Sequence, residues 1–237
     1  MKRILLSHIP EDGELVTPDR EESHHLLKVR RTNPDEVIEV LDGDGGLALG
    51  ELVFLDERKV QVRIVQRLPT REPPWRLELA LAIPVQISTI DTHLPSLVQL
   101  GVSVIHLVNT EYGGRLKKAQ DKYKARLRTI CLQSLKQCGR TRAPQIFFHE
   151  HFDDLCALMA KHNERNIMLH PVPSPLPRGL GEIKSLGLLV GPEGGFTENE
   201  FRAARNLEIH ACGLGPIIQK METAMIGACF WAGQALG

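Results

Sequence analysis

The sequence contains no CxxC pair and no ladder of closely spaced cysteines. Its five cysteines (Cys131, Cys138, Cys156, Cys212 and Cys229) are scattered, so neither a disulfide framework nor a zinc site is indicated. Reduced, mostly buried thiols are expected. Aromatic rings are scarce, at 7 Phe, 2 Tyr and 2 Trp, which suits packed aliphatic α/β layers better than a surface of rings built to stack bases. No apolar run approaches the roughly 20 residues of a membrane helix, and the opening "MKRILLSHIPEDGELV" has too short an apolar stretch for a secretory signal. A cytoplasmic protein is expected. Net charge is also missing: 29 basic side chains balance 29 acidic ones, so the chain as a whole carries no polyanion-binding signature.

The charge is distributed unevenly. Between Arg115 and Arg142 the segment "RLKKAQDKYKARLRTICLQSLKQCGRTR" has ten Lys or Arg against the single acid Asp121. Such a surplus makes a positive field that gathers phosphates even when distant acids balance the total. It points to RNA or another polyanion, although a solvated helix face has the same composition.

At 237 residues the chain is long enough for two domains of ordinary size. Residues 1–72 read as short strands: Val60, Val62 and Ile64 alternate with polar positions, and "DGDGG" at 42–46 is a hairpin turn, since no helix follows it. A small antiparallel barrel or sandwich is expected there. "TREPPW" at 70–75 reads as a linker. From residue 73 onward, apolar runs at 77–83, 103–108, 145–148, 166–170, 186–190 and 208–212 alternate with helical stretches at about 90–100, 117–138, 152–162, 197–206 and 221–235. This is the pattern of an α/β domain, with a mainly parallel sheet covered by helices on both faces. Ligands of such sheets bind beyond the carboxyl ends of the strands.

Three bare loops stand at those ends. "GPEGG" follows the strand at 186–190 and precedes a helix that Thr197 and Glu200 start as a capping box. Phosphate is the usual guest at such a place, yet the sequence fits neither GxxxxGK[ST] nor GxGxxG, and Glu193 suits a neutral or cationic ligand better. A plain strand-to-helix turn remains the alternative. "CGLGPIIQKMETA" at 212–224 is a second bare loop, and "NIMLHP" at 166–171 supplies a third strand end. Three backbone-rich loops around one ligand would suit an adenine and ribose held by main-chain hydrogen bonds.

Together, "LLVGPEGGFTENE" and the segment around "GLGPIIQKMETA" resemble the paired signature of the SPOUT class of S-adenosylmethionine-dependent RNA methyltransferases, specifically the ribosomal RNA small subunit methyltransferase E family. The likeness extends over nearly the whole chain, through "HHLLKVRRTNPDEVIEVLDGDGG", "LVQLGVSVIHLVNTE" and "QCGRTRAP". The resemblance implies a PUA-like β-barrel over 1–72 that binds RNA, a methyltransferase domain over 73–237 with a C-terminal trefoil knot, a homodimer, and methylation of N3 of a uridine in small-subunit (16S) ribosomal RNA without a metal. Carried over by position, S-adenosyl-L-methionine would contact Leu169, His170, Gly191, Pro192, Glu193, Gly194, Leu214, Gly215, Pro216 and Ile218. Glu222, Thr223 and Ala224 match the family's "ETA", and Glu222 with Lys220 are the catalytic candidates; capping and dimer contact are the other roles open to Glu222. The RNA-side candidates are Lys28, Arg30, Arg31, Arg115, Lys117, Lys118, Arg140 and Arg142.

The chain departs from the family at charged positions. Ile217 replaces an arginine, Gln219 a leucine, Lys220 a second arginine, and Tyr112 the arginine that ends "TER"; Gln133 and Lys136 replace acids. A lysine keeps the charge of arginine without its planar fork, and isoleucine keeps neither. These changes raise a rival reading, a non-catalytic RNA-binding or ribosome-assembly factor descended from such an enzyme. A nucleotide-binding metabolic enzyme is a third, with no phosphate motif behind it. The pairs His24–His25 and His149–His151 lack companions at metal-ligand spacing, so no metal is expected. The last helix is apolar on more than one face, which suggests burial against a second subunit.

Overall fold

The computed structural model describes residues 1–29, 36–56, 59–115 and 120–237, and these form two compact units. The first comprises Met1–Glu72 and Leu132–Ala143. Its strands are β1 (Arg3–Leu5), β2 (Leu15–Val16), β3 (Val37–Leu41), β4 (Leu47–Asp56) and β5 (Lys59–Leu68), with a short helix α1 (Arg20–His24) leading into a π-helical turn at His25–Val29. They form one sheet in the order β1-β3-β4-β5-β2. Val60, Val62 and Ile64 face inward with Ile4, Leu26, Ile38, Val40 and Leu52, as their alternation demands. The "DGDGG" segment is the expected hairpin turn: Asp42 Oδ1 accepts from the amides of Asp44 and Gly46, both at 2.8 Å, and Gly43 and Gly45 take positive φ. One pairing departs from the antiparallel expectation, because β1 runs parallel to β3. The chain between them, with β2 and α1, supplies the long crossover that a parallel pair requires.

A later passage of the chain completes this unit. The Gly45 amide donates to the Thr141 carbonyl, and the Ala143 amide to Gly43. The Glu72 carboxylate accepts from Arg140 Nη2 at 2.7 Å and from the amides of Thr141 and Arg142 at 2.7 and 2.9 Å. Nearby, the buried Glu39 pairs with Arg3 at 2.6 Å and Arg71 at 2.8 Å, and the Arg71 hydrogen bond is the main reason its carboxyl stays below the usual range.

The second unit comprises Pro73–Cys131 and Pro144–Gly237. In chain order it contains β6 (Arg76–Ala82), α2 (Ser88–Gln99), β7 (Val104–Val108), α3 (Gln120–Cys138, whose last turns belong to the first unit), β8 (Gln145–His149), α4 (Phe152–His162), β9 (Arg165–Leu169), β10 (Ser185–Val190), α5 (Glu198–Asn206), β11 (His210–Cys212) and α6 (Met221–Leu236). All six strands are parallel, in the order β11-β9-β10-β6-β7-β8. Residues of both parities are buried in β6, β7 and β10, so both sheet faces are covered. On one face, Ala80, Val108, Met168 and Leu189 pack with Phe152, Leu155 and Met159 of α4 and Ala204 of α5.

That face also carries a row of polar side chains. Glu78 Oε2 meets His106 Nε2 at 3.3 Å and accepts from Asn163 Nδ2 at 3.1 Å, while Arg76 pairs with Oε1 at 2.5 Å. His106 Nδ1 in turn faces His149 Nε2 at 2.9 Å. Burial pushes the Glu78 carboxyl up, but these hydrogen bonds and the Arg76 charge outweigh it and hold the group below its usual value. The His149 imidazole is held below its usual value, first by burial and then by His106.

Candidate functional site

Strand register brings three chain segments out at one edge. Leu169 stands beside Val190 on one side and Cys212 on the other, so residues 170, 191 and 213 leave the sheet side by side. Two of the three loops that follow enclose a cavity of about 540 Å³. Its walls come from Leu169 to Pro173 and Pro175 on one side and from Cys212 to Gln219 on the other, with Ala224 of α6. The first loop is bent tightly by the Val172 amide donating to the His170 carbonyl, and the two are tied by His170 to Cys212 and Gly213 to Ser174 hydrogen bonds. The His170 ring lies 5.0 Å from that of Phe201. Between Leu214 and Gln219, main-chain amides and carbonyls have no hydrogen-bond partner among the described residues. These groups are largely exposed and free to bond a guest, and they stand beside an apolar cavity of the size that holds small ligands. Burial pushes the Cys212 thiol up, which leaves it a wall and not a nucleophile.

Of the residues proposed for the cofactor, Leu169, His170, Leu214, Gly215, Pro216 and Ile218 line this cavity, while Gly191, Pro192, Glu193 and Gly194 do not. The capping box of α5 forms as expected, with Thr197 and Glu200 exchanging hydrogen bonds. Phe196 then inserts into the core beside Phe152, and its ring lies against Gly191. This draws the glycine loop toward residues 110–114 instead: a side chain at Gly194 would come within 2.9 Å of Tyr112 Cβ. Lys220 is the exposed residue immediately before α6 and Glu222 stands in its first turn, two positions ahead of Ala224 in the cavity wall; neither lines the cavity itself. Val172, Pro173 and Pro175 were not expected there. The signal for them is the density of proline in "HPVPSPLP", a chain that cannot rejoin a sheet.

Residues 71–232 match the RNA methyltransferase domain family, and residues 18–65 the RNA methyltransferase PUA domain. The chain belongs to the RNA methyltransferase family. It is 27% identical over 216 residues to ribosomal RNA small subunit methyltransferase E of Aquifex aeolicus, covering 90% of this chain and 92% of that one. The protein of the same name from Bacillus subtilis is 27% identical over 230 residues, covering 88% and 85%. Among solved structures, ribosomal RNA small subunit methyltransferase E of Neisseria gonorrhoeae, bound to S-adenosyl methionine, is 28% identical with a TM-score of 0.80, covering 97% of this chain and 95% of its own. A methyltransferase of Legionella pneumophila in complex with the same cofactor is 26% identical with a TM-score of 0.82, covering 99% and 97%. The family expected from the paired C-terminal motifs is confirmed, and with it the α/β fold and its PUA-like N-terminal domain.

In this RNA methyltransferase the cations expected to meet RNA divide into groups. Arg30, Arg31, Lys117 and Lys118 lie outside the described residues, as does the side chain of Lys28. Arg115 and Arg142 are exposed. Arg140 is not: it is 8% exposed, and its Nε and Nη2 both bind Glu72, so this side chain closes the first unit and is not presented to phosphate. On the exposed part of α3, Arg126 pairs with Asp91 at 2.8 Å and Lys124 Nζ sits 5.4 Å from the centre of the Phe147 ring. A shallow depression of about 520 Å³ opens at the ends of β7 and β8, lined by Asn109, Thr110, Glu111, Arg115, Asp153, Asp154 and neighbours. Among the described residues, no group of three or more His, Cys, Asp or Glu is placed to hold a metal ion, and no helix is long and apolar enough to cross a membrane.

Proposed function

We propose that the protein transfers a methyl group from S-adenosyl-L-methionine to N3 of a uridine in small-subunit ribosomal RNA. The cavity at the ends of β9 and β11 carries this reading. It combines an apolar wall with unpartnered main-chain donors and acceptors from Leu214 to Gln219, which fits an adenine and ribose read through peptide groups. The names of the relatives from Aquifex aeolicus and Bacillus subtilis, and the cofactor in the structures from Neisseria gonorrhoeae and Legionella pneumophila, support it. When bound, the cofactor supplies an electrophilic methyl on a sulfonium.

The chain's own groups do the remaining work. The loops of residues 169–175 and 212–219 bind and orient the cofactor, and Gly191, Pro192, Glu193 and Gly194, which leave the sheet beside residue 170 without lining the cavity, meet it only at the cavity's mouth. Uridine N3 carries a proton, so Glu222 accepts it and Lys220 stabilises the developing uridine anion. The PUA-like unit over 1–72, with Lys28, Arg30 and Arg31, holds RNA together with Arg115, Lys117, Lys118 and Arg142. The reading includes a cytoplasmic homodimer and the trefoil knot of the SPOUT class.

Calorimetry with S-adenosyl-L-methionine is expected to show one site per chain. Gly215 has φ +118°, which a β-branched residue resists, so Gly215→Val should weaken cofactor binding at least about tenfold with little change in melting. Glu222→Gln should keep cofactor affinity and lose methylation. Nucleoside mass spectrometry of ribosomal RNA from cells with and without the gene tests the reaction directly, and an unchanged N3-methyluridine signal would sink it. One observation favours a second reading, a non-catalytic RNA-binding factor: Ile217 lines the cavity where the family resemblance places an arginine. That protein would bind RNA and leave the signal unchanged.

A further inference from the structure

We infer that Tyr112 is a stacking platform for a nucleobase of the RNA substrate, an inference that rests on the methyltransferase reading above. The chain has two tyrosines. Tyr123 is half-buried, and its hydroxyl donates to the Ile87 carbonyl at 3.3 Å and Asp91 Oδ1 at 3.1 Å. Tyr112 is 56% exposed, and its hydroxyl has no partner among the described residues.

The backbone beneath the ring is fixed. The Glu111 amide donates to Glu200 Oε1 at 2.9 Å, Gly113 to the Thr110 carbonyl at 3.3 Å and Gly114 to the Ile83 carbonyl at 2.7 Å. Gly194 of the "GPEGG" loop lies against the root of the side chain, where a Cβ would come within 2.9 Å of Tyr112 Cβ and 3.4 Å of Cγ. The root of the side chain is therefore packed before any ligand arrives, which limits the entropy lost on binding.

Its position suits a base near the reacting one. Tyr112 follows β7, and the cofactor cavity opens at β9, three strands away in the sheet order. At about 4.8 Å per strand, the two are separated by roughly 15 Å along the same edge. Charge selects which part of a nucleotide sits there. Glu111, Asp153 and Asp154 line the adjoining depression and Glu193 stands exposed in the glycine loop, so a phosphate is repelled from the ring. A neutral base with a π-face is not. Arg115, exposed three residues on, is available for the backbone phosphate beside it.

The test uses the full-length protein and a fluorescein-labelled single-stranded RNA of about a dozen nucleotides. Anisotropy titrations compare the natural chain with Tyr112→Phe and Tyr112→Leu, and each is repeated on a strand of the same length built from abasic units. Stacking predicts that the phenylalanine variant binds like the natural chain, while the leucine variant binds roughly 10- to 100-fold more weakly on the RNA and equally on the abasic strand. The slope of affinity against salt should not change, since no charge is lost. Equal RNA affinity for all three proteins overturns the inference. So does a leucine variant that sediments as a monomer with RNA affinity intact, which would make Tyr112 a contact with a second copy. Calorimetry on the natural chain separates the two levels: if it binds neither S-adenosyl-L-methionine nor RNA, the methyltransferase reading itself fails, and the stacking role falls with it.

Discussion

Glu78 and His149 place ionisable groups on the largely apolar parallel sheet, and with Glu39 of the first unit they shape how the protein responds to acid. His149 has its pKa depressed below the usual 6.5, so as pH falls through 6.5 the unfolded chain takes up a proton that the folded one refuses. Glu39 and Glu78 are held below the usual 4.5, so they contribute stability above that value and lose it as pH falls through their folded pKa. Both effects have the same sign. The urea midpoint is expected to decline from about pH 6.5 downward in two stages, and His149→Gln should flatten the first while leaving the second. Gly187 makes room for the row: a methyl there would overlap Asn166 Oδ1 and stand 2.6 Å from Met159 Cε. Gly187→Ala should therefore cost about 1–3 kcal/mol by overpacking, read from the same denaturation curves.

Elements with a local cause were the legible ones. Phe152–His162 was expected to within a residue, because its apolar spacing is helical and acids occupy its first turn. The capping box at Thr197 was equally plain. In the structure Glu200 has a second use, accepting from the Glu111 amide, so one carboxylate starts α5 and ties down the loop after β7. Thr197→Ala is expected to cost about 1 kcal/mol, as cap losses do. Glu200→Ala should cost more and speed hydrogen exchange at the Glu111 amide. Where the sequence misled, a non-local or conformational cause was at work. The strand expected at 208–212 begins only at His210, since Glu208 adopts φ +58° and turns the chain. The parallel pairing of β1 with β3 joins residues whose patterns say nothing of direction. For the site, strand ends at Leu169 and Cys212 revealed two cavity walls, but the insertion of Phe196 into the core behind Gly191 has no signature in spacing.

At the scale of the molecule, the first unit needs the segment that returns to it. Glu72 is saturated by Arg140, Thr141 and Arg142, and Gly43 and Gly45 pair with the same stretch. A fragment of residues 1–72 leaves these groups unmet, and it should unfold at lower denaturant than the same unit does in the whole protein. Along α6, Thr223, Gly227, Phe230 and Gln234 form an exposed stripe at helical spacing, with Phe230 59% exposed. If the proposed homodimer uses this stripe, Phe230→Glu will shift sedimentation toward the monomer without changing the circular dichroism. The order of the parallel sheet also bears on synthesis. β6 sits at the centre, yet one of its two edges pairs with β10, where Arg76 meets Ser185. While the chain is still emerging from the ribosome, that edge stays open until β10 has cleared the exit tunnel. The protein therefore spends nearly half of its own translation with an aliphatic strand half-dressed, and nascent chains stalled before residue 185 should recruit chaperones that the released protein has no use for.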